Sequence, residues 1–242
     1  RGRDWYAALF AGASASQLCG ESSTHYTKLP THPEAARRMY ELLPKAKLVY
    51  VMRDPLERLV SQYLHEWSTR EVEGSLEQAV TRHERFVAYS SYARQLEQFV
   101  ELWGRAAILP VFFERLVAFP DEELGRICRF LGDPSPEPPV WRQDLEPQNV
   151  TSERMRTSAL RDALLGIPAV RWLKDQFPQS LRERVKELWK PGARPQLTPE
   201  LRARLERTLD QDLTRLGEWL GTELSCHGWT EQVLERALEW KR

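Results

Sequence analysis

Hydrophobic and polar positions alternate with two different periods along this chain, and the change of period divides it. Residues 47–52 (K-L-V-Y-V-M) form a continuous apolar, β-branched run, the pattern of a strand buried on both faces. Residues 107–113 (A-I-L-P-V-F-F) form a second such run, in which Pro110 implies a bulge or an edge position. A brief strand is expected at 17–20, ending in the polar run 21–24. Between these runs the spacing is helical. Helices are expected at 5–10, 33–43, 55–67, 75–88, 91–103 and 121–131, the last closed by Gly132. Asp54 is placed to cap the helix that Pro55 opens. Strands alternating with helices predict an α/β layered fold with a parallel sheet flanked by helices.

The second half reads as almost purely helical. Helices are expected at 152–165, 181–189, 198–220 and 230–240. The third is the best defined. Thr198 caps it, Pro199 and Glu200 open it, and Gly221 follows it. Leu201, Leu205, Leu209, Leu213, Leu216 and Leu220 form its apolar stripe, a core face and not a coiled-coil seam. The last helix presents Val233, Ala237 and Trp240 on one side. The densest proline stretch, 133–139, separates the halves. Nothing long or Gly/Ser-rich flanks it, so it reads as a loop within one domain spanning 1–242.

Composition narrows the function classes. The 242 residues include nine Trp, seven Tyr and eight Phe, enough for a large packed core. Lys plus Arg and Asp plus Glu are each 35, a net charge of zero. That argues against whole-chain electrostatic binding to nucleic acid or an anionic membrane, and leaves room for a local basic pocket. Arg outnumbers Lys 28 to 7, and Arg suits planar recognition of phosphate or sulfate. Three widely spaced cysteines (Cys19, Cys128 and Cys226) give no disulfide framework and no zinc-type pair. No apolar run approaches the ~18 residues of a membrane span, and no signal peptide is visible.

The chemistry concentrates at 47–63. A hydrophobic strand runs into Arg53 and a capped helix starts at once, the place where open parallel sheets hold ligands. Arg58 and Ser61, three apart, share a face of that helix. Arg53 offers a charge-assisted fork and Ser61 a neutral hydrogen bond, a suitable pair for a phosphate dianion. The pattern alone equally allows Arg53 to pair with Asp54 or Glu57 while Ser61 lies on a solvated helix face.

R-D-P-x-x-R-x-x-S-x-Y after a buried strand resembles the 3′-phosphate motif of sulfotransferases that use 3′-phosphoadenosine 5′-phosphosulfate (PAPS). G-E-S-S-T-H-Y at 20–26 is similar to that family's G-E-x-S/T-P-x-Y segment. The helix at 91–103 resembles its Y-x-x-Q-L-x-x-W helix. The segments 108–116, 124–132 and 191–205 resemble its late strand, the following helix and the C-terminal cofactor loop with its helix. The ordered set covers nearly the whole chain and looks closest to bacterial sulfotransferases related to the heparan sulfate enzymes.

The resemblance implies a P-loop-NTPase-like sulfotransferase fold with a helix-rich C-terminal half. It implies PAPS as co-substrate and no metal. Arg53 and Ser61 would hold the 3′-phosphate. Arg194 and Lys190 would cover the nucleotide, although the spacing there departs from the family's K-G-R pattern. Glu21 matches the general base of the heparan sulfate branch, and the family's proline in that segment is Thr24 here. His25 is a second candidate base, since cytosolic relatives use His; a polar loop residue is its plainer reading. The acceptor would be a hydroxyl or amine of a carbohydrate-like or small molecule, walled by 69–74 and 133–151. The family's first strand and 5′-phosphosulfate loop are not found before Trp5, so a fragment lacking them is expected. A cytoplasmic location follows for a bacterial protein, the Golgi lumen for a eukaryotic one. A non-catalytic nucleotide-binding or interaction domain of the same fold is the alternative. A P-loop kinase is disfavoured because no Walker-type loop accompanies Arg53. Tyr92, Gln95 and Trp103 read as packing residues. His65 reads as solvated, His227 as lacking metal partners, and the N-V-T match at 149–151 as chance.

Overall fold

The computed structural model describes residues 2–14, 17–133, 140–141 and 194–241. The helices expected at 152–165 and 181–189, Lys190, the N-V-T match, and the 133–151 loop apart from its residues 133, 140 and 141 lie outside them.

Two parallel strands carry the site. β1 (Leu48–Met52) pairs with β2 (Ile108–Phe112) in register, Leu48 opposite Ile108 through Met52 opposite Phe112. A parallel pair needs a crossover, and helices supply it: α3 (Pro55–Ser68), α4 (Leu76–Arg82), α5 (Arg85–Ala88) and α6 (Tyr92–Trp103). Before β1 come α1 (Arg3–Ala8), with no buried residue, and α2 (Ala35–Leu42). After β2 come α7 (Phe113–Ala118) and α8 (Pro120–Leu131), which ends on left-handed Gly132. Then follow α9 (Pro199–Leu220) and α10 (Trp229–Glu235).

Local chemistry fixes the helix ends. Asp54 Oδ1 accepts from the Glu57 amide at 2.8 Å, and Pro55 opens α3 as expected. Thr198 Oγ1 accepts from the Leu201 amide, and Gly221 adopts φ 65° where α9 stops. The six leucines of the α9 stripe are all buried. They join α3, α6 and both strands in one apolar core. α6 has no cap of its own. Asp212 of α9 supplies one, accepting from the amides of Ala93 at 2.8 Å and Arg94 at 2.9 Å.

Four expectations are corrected. β2 is buried along its length, but β1 is covered on one side only. Val49 and Val51, on alternate positions, are exposed because no described element packs over them. Residues 17–20 form no strand; they are exposed and have no ladder partner among the described residues. The helix expected at 75–88 breaks at His83, which is extended (φ −129°, ψ 100°). The helix expected at 230–240 stops at Glu235. Arg236 is extended (φ −157°, ψ 161°), and carbonyls on either side of it are taken by side chains from elsewhere. Arg115 Nη1 donates to the Leu234 carbonyl at 3.0 Å and Arg126 Nη1 to the Leu238 carbonyl at 3.4 Å. The Trp240 indole reaches the Ile108 carbonyl at 2.6 Å. Pro110 sits in unbroken register and not at a bulge, on a strand with no second neighbour among the described residues, and its carbonyl accepts from Arg126 Nη2 at 2.6 Å.

Candidate functional site

Arg53 is the first residue past β1, and the turn it occupies is held by side chains. The Tyr92 hydroxyl donates to the Arg53 carbonyl at 2.6 Å and accepts from the Arg53 amide at 3.2 Å. The Asp54 amide donates to Glu114 Oε1 at 2.7 Å. The Arg53 guanidinium lies 5.6 Å from the Phe113 ring, and its Nη2 is 3.6 Å from Glu57 Oε2. Its Nε is buried and has no hydrogen-bond partner among the described residues. A buried guanidinium nitrogen without an acceptor is costly unless an oxygen ligand comes to it.

Arg194 reaches the same carboxylate oxygen, its Nη2 2.5 Å from Glu57 Oε2. Two guanidinium groups far apart in sequence therefore converge where β1 ends and α3 begins. Ser61 lies half-buried on α3, one turn beyond Glu57, so both share a helix face. The pairing of Arg53 with Glu57 that the sequence left open is present, at a distance that leaves the guanidinium largely uncommitted.

Glu21 lies on the segment that precedes α2. Its carboxylate is exposed and accepts from the Tyr26 hydroxyl. It lines a cleft of about 660 Å³ with Tyr6, Tyr26, Tyr50 and Arg58, and the exposed Val49 and Val51 form part of the wall. Arg58 Nη1 is buried without a partner among the described residues, and its guanidinium lies 5.8 Å from the Tyr89 ring. Burial, then the hydrogen bond and charge of Glu21, raise the Tyr26 phenol well above its usual value, so it stays a proton donor to Glu21.

His25 is exposed and touches Ser23, with Nδ1 3.4 Å from the hydroxyl. Its ring lies 5.4 Å from that of His32. Lys28 nearby, then burial and His32, lower its pKa, which favours the neutral imidazole. Among the described residues no three His, Cys, Asp or Glu side chains gather into a metal-holding group. No described helix is long and apolar enough to cross a membrane.

The structure thus brings Arg53 and Arg194 together through Glu57, with Ser61 on the same helix. It sets Glu21 and His25 on a loop of their own, and Lys190 lies outside the described residues. That loop is anchored from α6. Gln95 Nε2 donates to the Leu29 carbonyl at 3.0 Å, and Gln95 Oε1 accepts from the Leu29 amide at 2.8 Å. Reading Tyr92 and Gln95 as packing residues missed this. Both are buried, but their polar ends fix the backbone of the two candidate half-sites. The signal was available: a buried tyrosine hydroxyl or amide must find partners.

Residues 21–217 match the family model described as Sulfotransferase domain. The chain belongs to this family. Human heparan sulfate glucosamine 3-O-sulfotransferase 6 is 30% identical over 140 residues, 54% of this chain and 40% of its own length. Mouse heparan sulfate glucosamine 3-O-sulfotransferase 3B1 is 29% identical over 141 residues, 54% of this chain and 35% of its own length. The chain therefore spans two fifths or less of these relatives. The crystal structure of a sulfotransferase from Alicyclobacillus acidocaldarius superposes with a TM-score of 0.60 at 21% identity. The match covers 93% of this chain and 73% of that one. The sulfotransferase fold expected from the sequence is thus the fold observed. The strand end bearing Arg53, the following helix and the segment bearing Glu21 all fall within the residues that match the family.

Proposed function

We propose that this sulfotransferase-family chain binds PAPS through Arg53, Ser61 and Arg194. It passes the sulfuryl group to a hydroxyl or amine of a carbohydrate acceptor. The observation that carries the reading is the convergence of Arg53 and Arg194 at the carboxyl end of β1, with a buried Nε on Arg53 that has no partner among the described residues. A dianion there would gain charge-assisted hydrogen bonds from both guanidinium groups. The Ser61 hydroxyl, on the same face of α3, would add a neutral one.

PAPS supplies an activated sulfuryl group. Its S–O bond to the 5′-phosphate breaks as the acceptor oxygen or nitrogen bonds to sulfur, and the acceptor proton goes to the base. Glu21 is that base in this reading: an exposed carboxylate on the wall of a cleft large enough for a sugar ring. The Tyr26 hydroxyl orients it. His25, kept neutral by Lys28, is the second candidate. The heparan sulfate relatives support a carbohydrate as acceptor. The test is transfer of label from ³⁵S-PAPS to polysaccharide and small carbohydrate acceptors. Labelled acceptor is expected. Nucleotide binding with no transfer to any acceptor would instead favour a non-catalytic nucleotide-binding domain.

A further inference from the structure

Arg53 projects from a turn whose backbone is held by side chains from elsewhere in the chain. Its own amide and carbonyl are both bonded to one atom, the Tyr92 hydroxyl. The next amide, that of Asp54, is bonded to Glu114. Nothing in the β1–β2 ladder does this work, because the ladder ends at Met52 opposite Phe112. The direction in which the Arg53 side chain leaves the strand is therefore set by Tyr92.

Tyr92 is in turn held from behind. It is 1% exposed, and its ring lies 5.9 Å from that of Trp229, which is fully buried and 5.5 Å from Phe112. Tyr50, opposite Pro110 in the sheet, meets Tyr92 edge-on at 6.2 Å. The hydroxyl thus has little freedom to move away from Arg53. Trp229 opens α10, beyond the residues that match the family model.

We propose that Tyr92, braced by Trp229, is a positioning residue for the anion site, aiming the Arg53 guanidinium at the 3′-phosphate by gripping the Arg53 backbone. This rests on the reading of Arg53 as a nucleotide ligand. A rigid support matters because a charge-assisted contact loses most of its value when the donor is displaced by about an ångström.

The test compares Tyr92→Phe with Trp240→Phe in the 242-residue chain. Trp240→Phe removes another side-chain donor, the indole N–H bonded to the Ile108 carbonyl at 2.6 Å where β2 begins, at the end of the sheet away from Arg53. The probes are 3′-phosphoadenosine 5′-phosphate (PAP) and adenosine 5′-phosphate, whose affinity ratio isolates the 3′-phosphate. Tyr92→Phe should cut that ratio about tenfold with adenosine 5′-phosphate affinity kept, and Trp240→Phe should leave it unchanged. Hydrogen exchange of the peptide holding the Arg53 amide, which needs no ligand, should quicken in Tyr92→Phe alone. A retained ratio in Tyr92→Phe, or equal losses in both variants, overturns the positioning role. If the wild-type chain itself does not distinguish the two nucleotides, the reading of Arg53 falls first and the positioning role with it.

Discussion

Arg194 and Glu57, 137 positions apart, meet with Nη2 and Oε2 separated by 2.5 Å. The same oxygen is 3.6 Å from Arg53 Nη2. Glu57 therefore occupies with a carboxylate the position between two arginines that the proposed function gives to a phosphate. A negative charge about 4 Å from an incoming anion in a water-like medium costs on the order of 1 kcal/mol. Replacing Glu57 by Gln should tighten PAP binding by about fivefold. Calorimetry at two salt concentrations checks this, with the gain larger at low salt. Unchanged or weaker binding would mean that Glu57 holds the Arg194 segment in place and does not compete with the ligand.

In the proposed function Glu21 takes the acceptor proton and does not touch the nucleotide. Glu21→Gln keeps an acceptor for the Tyr26 hydroxyl but cannot take a proton. Any sulfuryl transfer from PAPS should fall by about 10²–10⁴ with PAP affinity nearly intact. Full turnover in this variant would move the base to His25.

Much of this was legible in the sequence, for identifiable reasons. The α3 start was readable because Asp54 and Pro55 act within one turn of the chain. The α9 helix was readable because six leucines at helical spacing have one low-energy arrangement, facing the core. The exposure of Val49 and Val51 was not, since a β-branched run looks the same whether one or two faces are covered. The end of α10 was not legible either. It depends on Arg115 and Arg126 reaching the tail carbonyls from over a hundred positions away. In the site, Arg53 could be read because its place at a strand end is local. That a buried Tyr92 needs a partner could be read too, but not that the partner is Arg53, nor that Glu57 bridges to Arg194, because each is a contact between distant segments.

The cap that α9 lends to α6 has a pH dependence. Burial raises the Asp212 carboxyl above its ordinary value, and the amides of Arg94 and Ala93 pull against that. A raised folded value means that this contribution is full below the unfolded value near about 4 and fades as pH rises through the folded one. Asp212→Asn keeps an acceptor without the charge. Its stability relative to wild type should improve as pH rises above about 4. Asp212→Ala loses both bonds and should cost about 1–2 kcal/mol at low pH, less as pH rises. Urea unfolding across that range decides. A flat or opposite trend for Asp212→Asn contradicts the assignment.

A 3′-phosphate site at Arg53 is tested most directly by calorimetric titration of the wild-type chain and Arg53→Ala with PAP and with adenosine 5′-phosphate. The wild type should prefer PAP. Arg53→Ala should lose about 1.5–3 kcal/mol of PAP binding, the value of a hydrogen bond to a charged group, with the other nucleotide unaffected. Equal affinity of the wild type for both nucleotides, or a preference that survives Arg53→Ala, would contradict a 3′-phosphate site at the end of β1.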